Sequence, residues 1–389
     1  MRFHLALNAL PRGIMAGLSM LALALPAVQA QQLSQSSPTN AVVNSDPIGR
    51  CPPAPCATDT VPWPAGNPLI NPNAISPSIP SDSGTSAAAP ALSPGLTAAV
   101  GGGRVALTNV GYIDSAIPQS MFRTRFDAAY DNNRPDRAEF FYPKCGCFLQ
   151  TGPGVRAPGP PLPETRVDYQ EITGYIEVAP SDRFSVFAEV PERYINPEQN
   201  ANQSGIGDIN FGFKYAFIAE TCRYFTLQLR TFVPTGDPFK GLGTDHTTVE
   251  PGLLFYQALS DRLIFESEVR DYVPIGGTNF SGNVVRYGVG LSYLLSNGPN
   301  FRVSPVGELV GWTVTNGKEF FLDGNGQGVV KSAAGDTIVN AKVGVRFGFG
   351  DLQERGLLSR SDIYVGYGRA LTGEVWYKDI FRLEYRMRF

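Results

Sequence analysis

The most constraining feature of this sequence is a strict alternation of apolar and charged residues at its C-terminal end. Every second residue from 381 to 389 is apolar, and the residues between them are Arg382, Glu384, Arg386 and Arg388. A period of two places successive side chains on opposite faces of a β-strand. This stretch is therefore predicted to be a strand with one apolar face and one charged face.

The same alternation recurs along the chain from residue 122 onward, so that twelve strands are predicted. They cover residues 122–130, 167–178, 183–190, 208–218, 225–233, 248–259, 263–273, 285–293, 301–313, 337–349, 362–369 and 379–389. The number is even, and the connections alternate between short and long up to the tenth strand. Bacterial membrane barrels show this asymmetry, with tight turns at one end and long loops at the other. The last strand is predicted to pair with the first.

The charged faces of these strands argue against a soluble β-sandwich. Alternation alone would suit a sandwich, but its core cannot hold residues such as Lys214, Arg230 and Glu268. If the charged faces meet water inside a barrel, the apolar faces need another partner, and lipid is the simplest. We therefore predict an all-β fold, a 12-stranded antiparallel transmembrane β-barrel with a disordered N-terminal tract.

The lumen of this barrel is the candidate functional site. Its predicted lining consists of Lys214, Arg230, Glu250, Glu266, Glu268, Arg270, Arg286, Glu308, Lys342, Arg346, Arg382, Glu384 and Arg386, with Gln228, Arg302 and Asn340 on the same faces. Charges of both signs can pair across the barrel and close it, or they can line a water-filled path for a small solute. The sequence leaves both arrangements open.

The residues before the first strand divide into two segments. Residues 1–30 are predicted to be a cleaved secretory signal. Arg2 and Arg12 supply its positive start, residues 14–25 its apolar run, and Val28-Gln29-Ala30 its small-residue cleavage site. Residues 31–110 are rich in Pro, Ser and Ala and are predicted to form a disordered periplasmic tether. The barrel domain is expected to span residues 111–389.

Composition and rare residues exclude several kinds of function. The formal net charge is −3, so no nucleic-acid partner is expected. An odd number of cysteines leaves one over, and their pairing stays open; they are Cys51, Cys56, Cys145, Cys147 and Cys222. A zinc site is not expected, because His4 and His246 are the only histidines and His4 lies in the signal. No cofactor is expected either.

Enzymatic activity is the third possibility for a barrel of this size. The outer-membrane phospholipase family uses a Ser–His pair on a twelve-stranded barrel. In this chain His246, in a predicted outer loop, is the one histidine after the signal, and no sequence element pairs it with a serine. We therefore predict that the protein is not an enzyme.

The alternate apolar residues at the C-terminus resemble the targeting signal of bacterial outer-membrane barrels. They are Phe381, Leu383, Tyr385, Met387 and the terminal Phe389. The resemblance implies that the chain is inserted into the outer membrane of a Gram-negative-type bacterium by the barrel-assembly machinery and is surrounded there by lipid.

A second resemblance covers residues 205–311. It is carried by Gly207-Asp208, Gly212-Phe213-Lys214-Tyr215, Pro234-Thr235-Gly236, Gly241-Leu242-Gly243-Thr244 and Glu250-Pro251-Gly252-Leu253-Leu254. These motifs resemble the meta-pathway-of-phenol-degradation family of outer-membrane proteins. The resemblance implies a barrel that admits small, often aromatic, molecules.

Two functions follow as expectations. The first is an outer-membrane channel or passive transporter for small solutes, among them small aromatic or hydrophobic molecules. The alternative is a structural or anchoring barrel with a closed lumen, whose Pro-rich N-terminal tract binds a periplasmic partner or the cell wall. Conductance across a planar bilayer distinguishes the two.

Overall fold

A computed structural model describes residues 107–135, 141–143, 158–298, 301–322, 328–350 and 360–389 of the chain. The predicted signal, the predicted tether up to residue 106, and the cysteines at 51, 56, 145 and 147 lie outside the described residues. In the part that is described, no helix is long and apolar enough to cross a membrane.

Twelve long antiparallel strands form the body of the structure. They are β1 Met121–Asn132, β2 Val167–Ser181, β3 Phe184–Pro197, β4 Ile209–Glu220, β5 Arg223–Val233, β6 Thr247–Ala258, β7 Leu263–Ile275, β8 Val284–Tyr293, β9 Phe301–Val314, β10 Thr337–Phe349, β11 Ser361–Ala370 and β12 Asp379–Arg388. Each strand pairs with the next. The last pairs with the first, from Met121↔Arg388 to Tyr130↔Asp379, which closes the barrel. The predicted 12-stranded barrel is confirmed.

The two faces of β12 show how the alternation is used. Phe381 and Leu383 point outward and are 53% and 51% exposed, whereas Glu384 and Arg386 point inward and are 1% and 2% exposed. Along β8 and β9 the same rule leaves aliphatic and aromatic side chains on the outside of the barrel. An apolar exterior around a polar interior is the arrangement of a transmembrane barrel, because lipid replaces water on the outer face.

The connections define two different rims. At the short-turn rim, residues 182–183, 221–222 and 259–262 join successive strands. β8 and β10 end at this rim, and β9 and β11 begin there. β1 begins and β12 ends at this rim, where the Phe389 amide donates to the Ser120 carbonyl. Cys222, in the turn between β4 and β5, is disulfide-bonded. The opposite end is the long-loop rim.

Two predicted loops contain more sheet than the alternation indicated. The third strand was predicted to end at Val190, but β3 continues to Pro197 because the residues after Pro191 stay paired with β2. Residues Gln203–Ile206 then fold back and pair with β3. In the loop after β9, Lys318–Leu322 and Gly328–Ser332 form a hairpin. None of these stretches alternates apolar and polar residues over its whole length, so a period of two does not reveal them as strands.

Candidate functional site in the barrel lumen

Residues Leu107–Ser120, here named the lumen segment, lie inside the barrel. The segment starts near the short-turn rim, where Thr108 bonds to Glu266 close to the start of β7. It rises to Tyr112 and Asp114 and returns to the same rim before β1 begins. The predicted tether therefore ends too late in the sequence, because its last residues, 107–110, already belong to the filled lumen.

Glutamates on the wall hold the backbone N–H groups of the lumen segment. Glu308 accepts from the amides of Gly111, Tyr112 and Ile113 at 3.2, 2.9 and 3.0 Å. Glu266 accepts from the Thr108 hydroxyl at 2.7 Å and from two further amides, and Glu268 accepts from the amide of Asp114 at 2.9 Å. A carboxyl group offers two oxygens, so one side chain can accept from several donors at once. Alternation thus supplies the anchoring points for an unpaired stretch of backbone.

Arginines on the wall hold the carbonyl groups of the same segment. Arg346 donates to the carbonyls of residues 109 and 110 at 2.9 and 2.7 Å, and Arg386 donates to that of residue 110 at 2.9 Å. Arg382 and Arg286 donate to the carbonyls of residues 111 and 112. A buried backbone without such partners would lose free energy for each orphaned group. The wall thus binds the amides of residues 109–113 and the carbonyls of residues 109–112.

The Asp114 carboxylate is the segment's own charged contact with the wall. Its Oδ2 lies 2.7 Å from Arg230, 3.1 Å from Arg270 and 3.1 Å from the amide nitrogen of Gln228. Burial raises the pKa of this carboxyl, but the guanidiniums of Arg230 and Arg270 outweigh burial and hold the pKa well below its usual range. Asp114 is therefore ionised at neutral pH.

Small residues on β8 make room for the apolar side chains of the segment. A Cβ added to Gly290 would lie 2.8 Å from Val110 Cγ1, and one added to Gly288 would lie 2.6 Å from Ile113 Cγ2. Real Cβ atoms do not approach other atoms so closely, so neither position admits a larger residue without displacing the segment. The fit between the wall and the segment is therefore steric as well as polar.

The structure places the predicted lumen residues on the inner face of the barrel, mostly in ion pairs. All are buried except Arg286, which is partly buried; they are Lys214, Arg230, Glu250, Glu266, Glu268, Arg270, Arg286, Glu308, Lys342, Arg346, Arg382, Glu384 and Arg386. Representative pairs are Lys214–Glu177 at 3.0 Å and Arg386–Glu384 at 2.6 Å. The inner charges thus satisfy one another and the lumen segment at the short-turn end.

A chamber of about 170 Å³ remains at the long-loop end of the lumen. Tyr112 and Asp114 form its floor, and Phe141 and Tyr377, from connections at the long-loop rim, also line it. One wall carries the Asp114–Arg230–Arg270 cluster, and the other carries Trp312 with Lys342. The chamber is therefore the space inside the barrel where a solute entering from this rim would first meet the lumen segment.

His246 lies near the long-loop rim and is buried. Its Nδ1 is 3.0 Å from the carbonyl oxygen of Thr244, and its Nε2 has no hydrogen-bond partner in the part of the chain that is described. Burial lowers the pKa of the imidazole. The contact with the Thr244 carbonyl fixes the orientation of the imidazole ring at this rim.

The lumen segment is the functional element that alternation missed. Its sequence has no period of two, and it directly follows the Pro-, Ser- and Ala-rich tract. The available signal was a cluster of large apolar residues, Val110, Tyr112, Ile113 and Ile117, in a region otherwise typical of a solvated linker. A cluster of large apolar side chains of this kind indicates that the stretch is buried rather than solvated.

Comparison with known proteins finds similar barrels among solved structures at low identity. No protein-family model matches the chain, and no curated protein matches it. An outer membrane channel from Pseudomonas putida F1 is 12% identical with a TM-score of 0.44, covering 73% of this chain and 100% of its own. The β domain of the Bordetella autotransporter BrkA is 11% identical with a TM-score of 0.41, covering 70% and 100%. The NanC porin is 9% identical with a TM-score of 0.38, covering 68% and 100%. At these scores the likeness assigns no function.

Proposed function

We propose that this protein is an outer-membrane channel for small solutes whose lumen is closed by its own lumen segment. The observation that carries the proposal is the chamber at the long-loop rim, which ends on Tyr112 and Asp114 rather than on the barrel wall. A solute path is thus interrupted by one short stretch of chain that enters and leaves at the same rim. Passage requires this stretch to move.

The nature of the contacts supports movement without unfolding of the barrel. The lumen segment forms no strand and is held by side chains of the wall, whereas each barrel strand is paired along its length with two neighbours. Regions held by few backbone ladders open at lower free energy than paired strands. The segment can therefore leave the lumen while the barrel remains closed as a sheet.

The outer membrane is the location that the apolar exterior and the C-terminal residues support. Phe389, Leu383 and Phe381 lie exposed on the outer surface of the barrel, where lipid would cover them. The resemblance of residues 205–311 to the meta-pathway-of-phenol-degradation family favours small aromatic molecules as solutes. Insertion by the barrel-assembly machinery is part of the same proposal.

The test is single-channel conductance of the full chain and of a variant lacking residues 108–117. The deleted residues precede β1, so the variant retains every residue of the twelve strands. Both ends of the deleted stretch lie near the short-turn rim, so the remaining chain can be joined there. We expect small or rare current steps from the full chain and large, sustained steps from the deletion, with folding checked by circular dichroism. If the folded deletion conducts no more than the full chain, the channel proposal fails.

The same filled lumen favours one alternative, a closed anchoring barrel with a partner-binding N-terminal tract. In that case the lumen segment is a permanent part of the core, held there by its hydrogen bonds to Glu266, Glu268 and Glu308. The conductance test separates the two functions, since an anchoring barrel has no need of a path beneath the segment.

A further inference from the structure

We propose that the chamber at the long-loop rim binds a small organic carboxylate with a planar apolar body, with Lys342 as the residue that receives the carboxylate. This inference rests on the proposed channel function and names its solute class. The reasons are a lysine amine with no carboxylate partner among the described residues, two hydrogen-bond donors that also have none there, and aromatic faces around them.

Lys342 differs from the other cations predicted to line the lumen. Arg382 has both oxygens of Asp127 at 2.7 Å, Arg270 has Glu250 at 2.7 Å, and Lys214 has Glu177 at 3.0 Å. Lys342 is 3% exposed and donates to the Tyr377 hydroxyl at 2.8 Å, but it forms no ion pair within the described residues. A buried amine keeps its charge only at a cost when no counter-charge is near, so an anion bound beside Lys342 would favour the charged form and be held by it.

The carboxylates that face Lys342 are committed to other partners. Glu308 stands directly opposite Lys342 in the pairing of β9 with β10, yet its oxygens accept the amides of the lumen segment. Asp127 is taken up by Arg382 through both of its oxygens. Among the described residues no carboxylate is left for Lys342 while the lumen segment is in place, so a bound anion can supply the negative charge.

Two further donors in the chamber have no partner in the part of the chain described. They are the indole N–H of Trp312 and the hydroxyl of Tyr112, and both side chains are buried. A carboxylate offers about four lone-pair sites, so it can accept from an ammonium and from neighbouring neutral donors together. A cation or a neutral molecule without acceptors would leave these groups unsatisfied.

Aromatic rings surround the ammonium group and suit a planar apolar body. Lys342 Nζ lies 4.0 Å from the centre of the Tyr112 ring, 5.2 Å from that of Trp312 and 5.3 Å from that of Tyr377. An engineered protein cavity of about 150 Å³ holds one benzene molecule, so a chamber of about 170 Å³ has room for a single-ring body. Offset or edge-on ring contacts then add to the charge interaction.

The experiment is calorimetric titration of benzoate, and of its neutral analogue benzamide, into the full-length protein in detergent. We expect benzoate to bind and benzamide to bind at least about tenfold more weakly, because only benzoate brings the counter-charge. This arm uses the unaltered chain, so it does not depend on the folding of a variant. Equal binding of the two probes, or no binding of benzoate, overturns the proposal.

Lys342→Met and Lys214→Met form the matched pair of variants. Both remove a buried lysine, but Lys214 is already paired with Glu177 and does not line the chamber. We expect Lys342→Met to weaken benzoate binding at least about tenfold while melting no lower than the parent, and Lys214→Met to melt lower without changing binding. Undiminished benzoate binding by Lys342→Met contradicts the proposal. Neither result depends on conductance, so this site can fail while the channel function stands.

Discussion

The two halves of the lumen are built from the same alternating strands, but one half is filled by the lumen segment and the other contains an open chamber. At the short-turn half, carboxylates and guanidiniums of the wall meet the backbone of the lumen segment, and the space is filled. At the long-loop half, the chamber stays open and Lys342 has no ion pair among the described residues. The difference shows that a charged inner face does not by itself make a pore.

Binding of the lumen segment requires charges of both signs on the inner wall of the barrel. A peptide backbone presents donors and acceptors in turn, so a wall that holds it must offer carboxylates and guanidiniums side by side. Glu308 and Arg382 bind the amide and the carbonyl of Gly111, and Glu266 and Arg346 bind those of Asn109. An open pore lined only for a solute would not require this alternation of sign.

The largest expected effect is that of Glu308→Ala on the short-turn half. The change removes the acceptor for three backbone amides, and each buried donor left without a partner costs about 1–3 kcal/mol. We expect the lumen segment to be released and the conductance in planar bilayers to rise severalfold. Glu308→Gln keeps one acceptor oxygen and should give an intermediate increase. A conductance unchanged in both variants would show that Glu308 does not hold the segment.

A smaller effect is expected from Gly290→Val, which crowds the same segment sterically. The new side chain would overlap Val110, and overpacking of this kind costs about 1–3 kcal/mol. We expect faster hydrogen exchange of amides 109–113 by mass spectrometry, with the barrel strands unchanged. Gly307→Val is the control, because a Cβ at Gly307 meets nothing within 4 Å. Equal exchange in the two variants would contradict the steric fit between β8 and the segment.

The smallest expected effect concerns the long-loop rim and its pH dependence. Burial lowers the pKa of His246 from its ordinary value of 6.5, so the folded protein favours the neutral imidazole. Its contribution to stability is present above pH 6.5 and is lost as the pH falls through the lowered pKa. We expect the melting temperature of the parent to fall more between pH 7.5 and 5.5 than that of His246→Gln. A parallel decline in both proteins would argue that His246 is not the titrating group.

Sequence patterns predicted the barrel well because period-two alternation is a local property of each strand. The end of β12 and its pairing with β1 follow from the residues themselves, as do the inward positions of Glu266, Lys342 and Arg386. The lumen segment did not follow, because its structure depends on partners that are far away in sequence. Thr108, for example, bonds to a residue 158 positions later.

The chamber was beyond prediction for the same reason. Trp312 and Lys342 lie on neighbouring strands, but Tyr112 comes from the lumen segment and Tyr377 from the connection before β12. Whether Lys342 is paired depends on which partner Glu308 takes, and opposite positions on β9 and β10 alone would suggest that the two pair with each other. Glu308 instead accepts from the amides of the lumen segment and forms no ion pair with Lys342.

The most direct test of the account is to lock the lumen segment to the wall and measure current. A Cβ at Gly290 would lie 2.8 Å from Val110 Cγ1. Val110→Cys with Gly290→Cys therefore puts two thiols within reach of a disulfide, in which the Cβ atoms lie about 3.5–4.5 Å apart. In the Glu308→Ala variant, the oxidised disulfide between these two cysteines should abolish the enlarged conductance, and reduction should restore the conductance. Variants with only one of the two cysteines should show no such change on oxidation. A locked barrel that conducts as freely as the unlocked one would show that the lumen segment does not close the path.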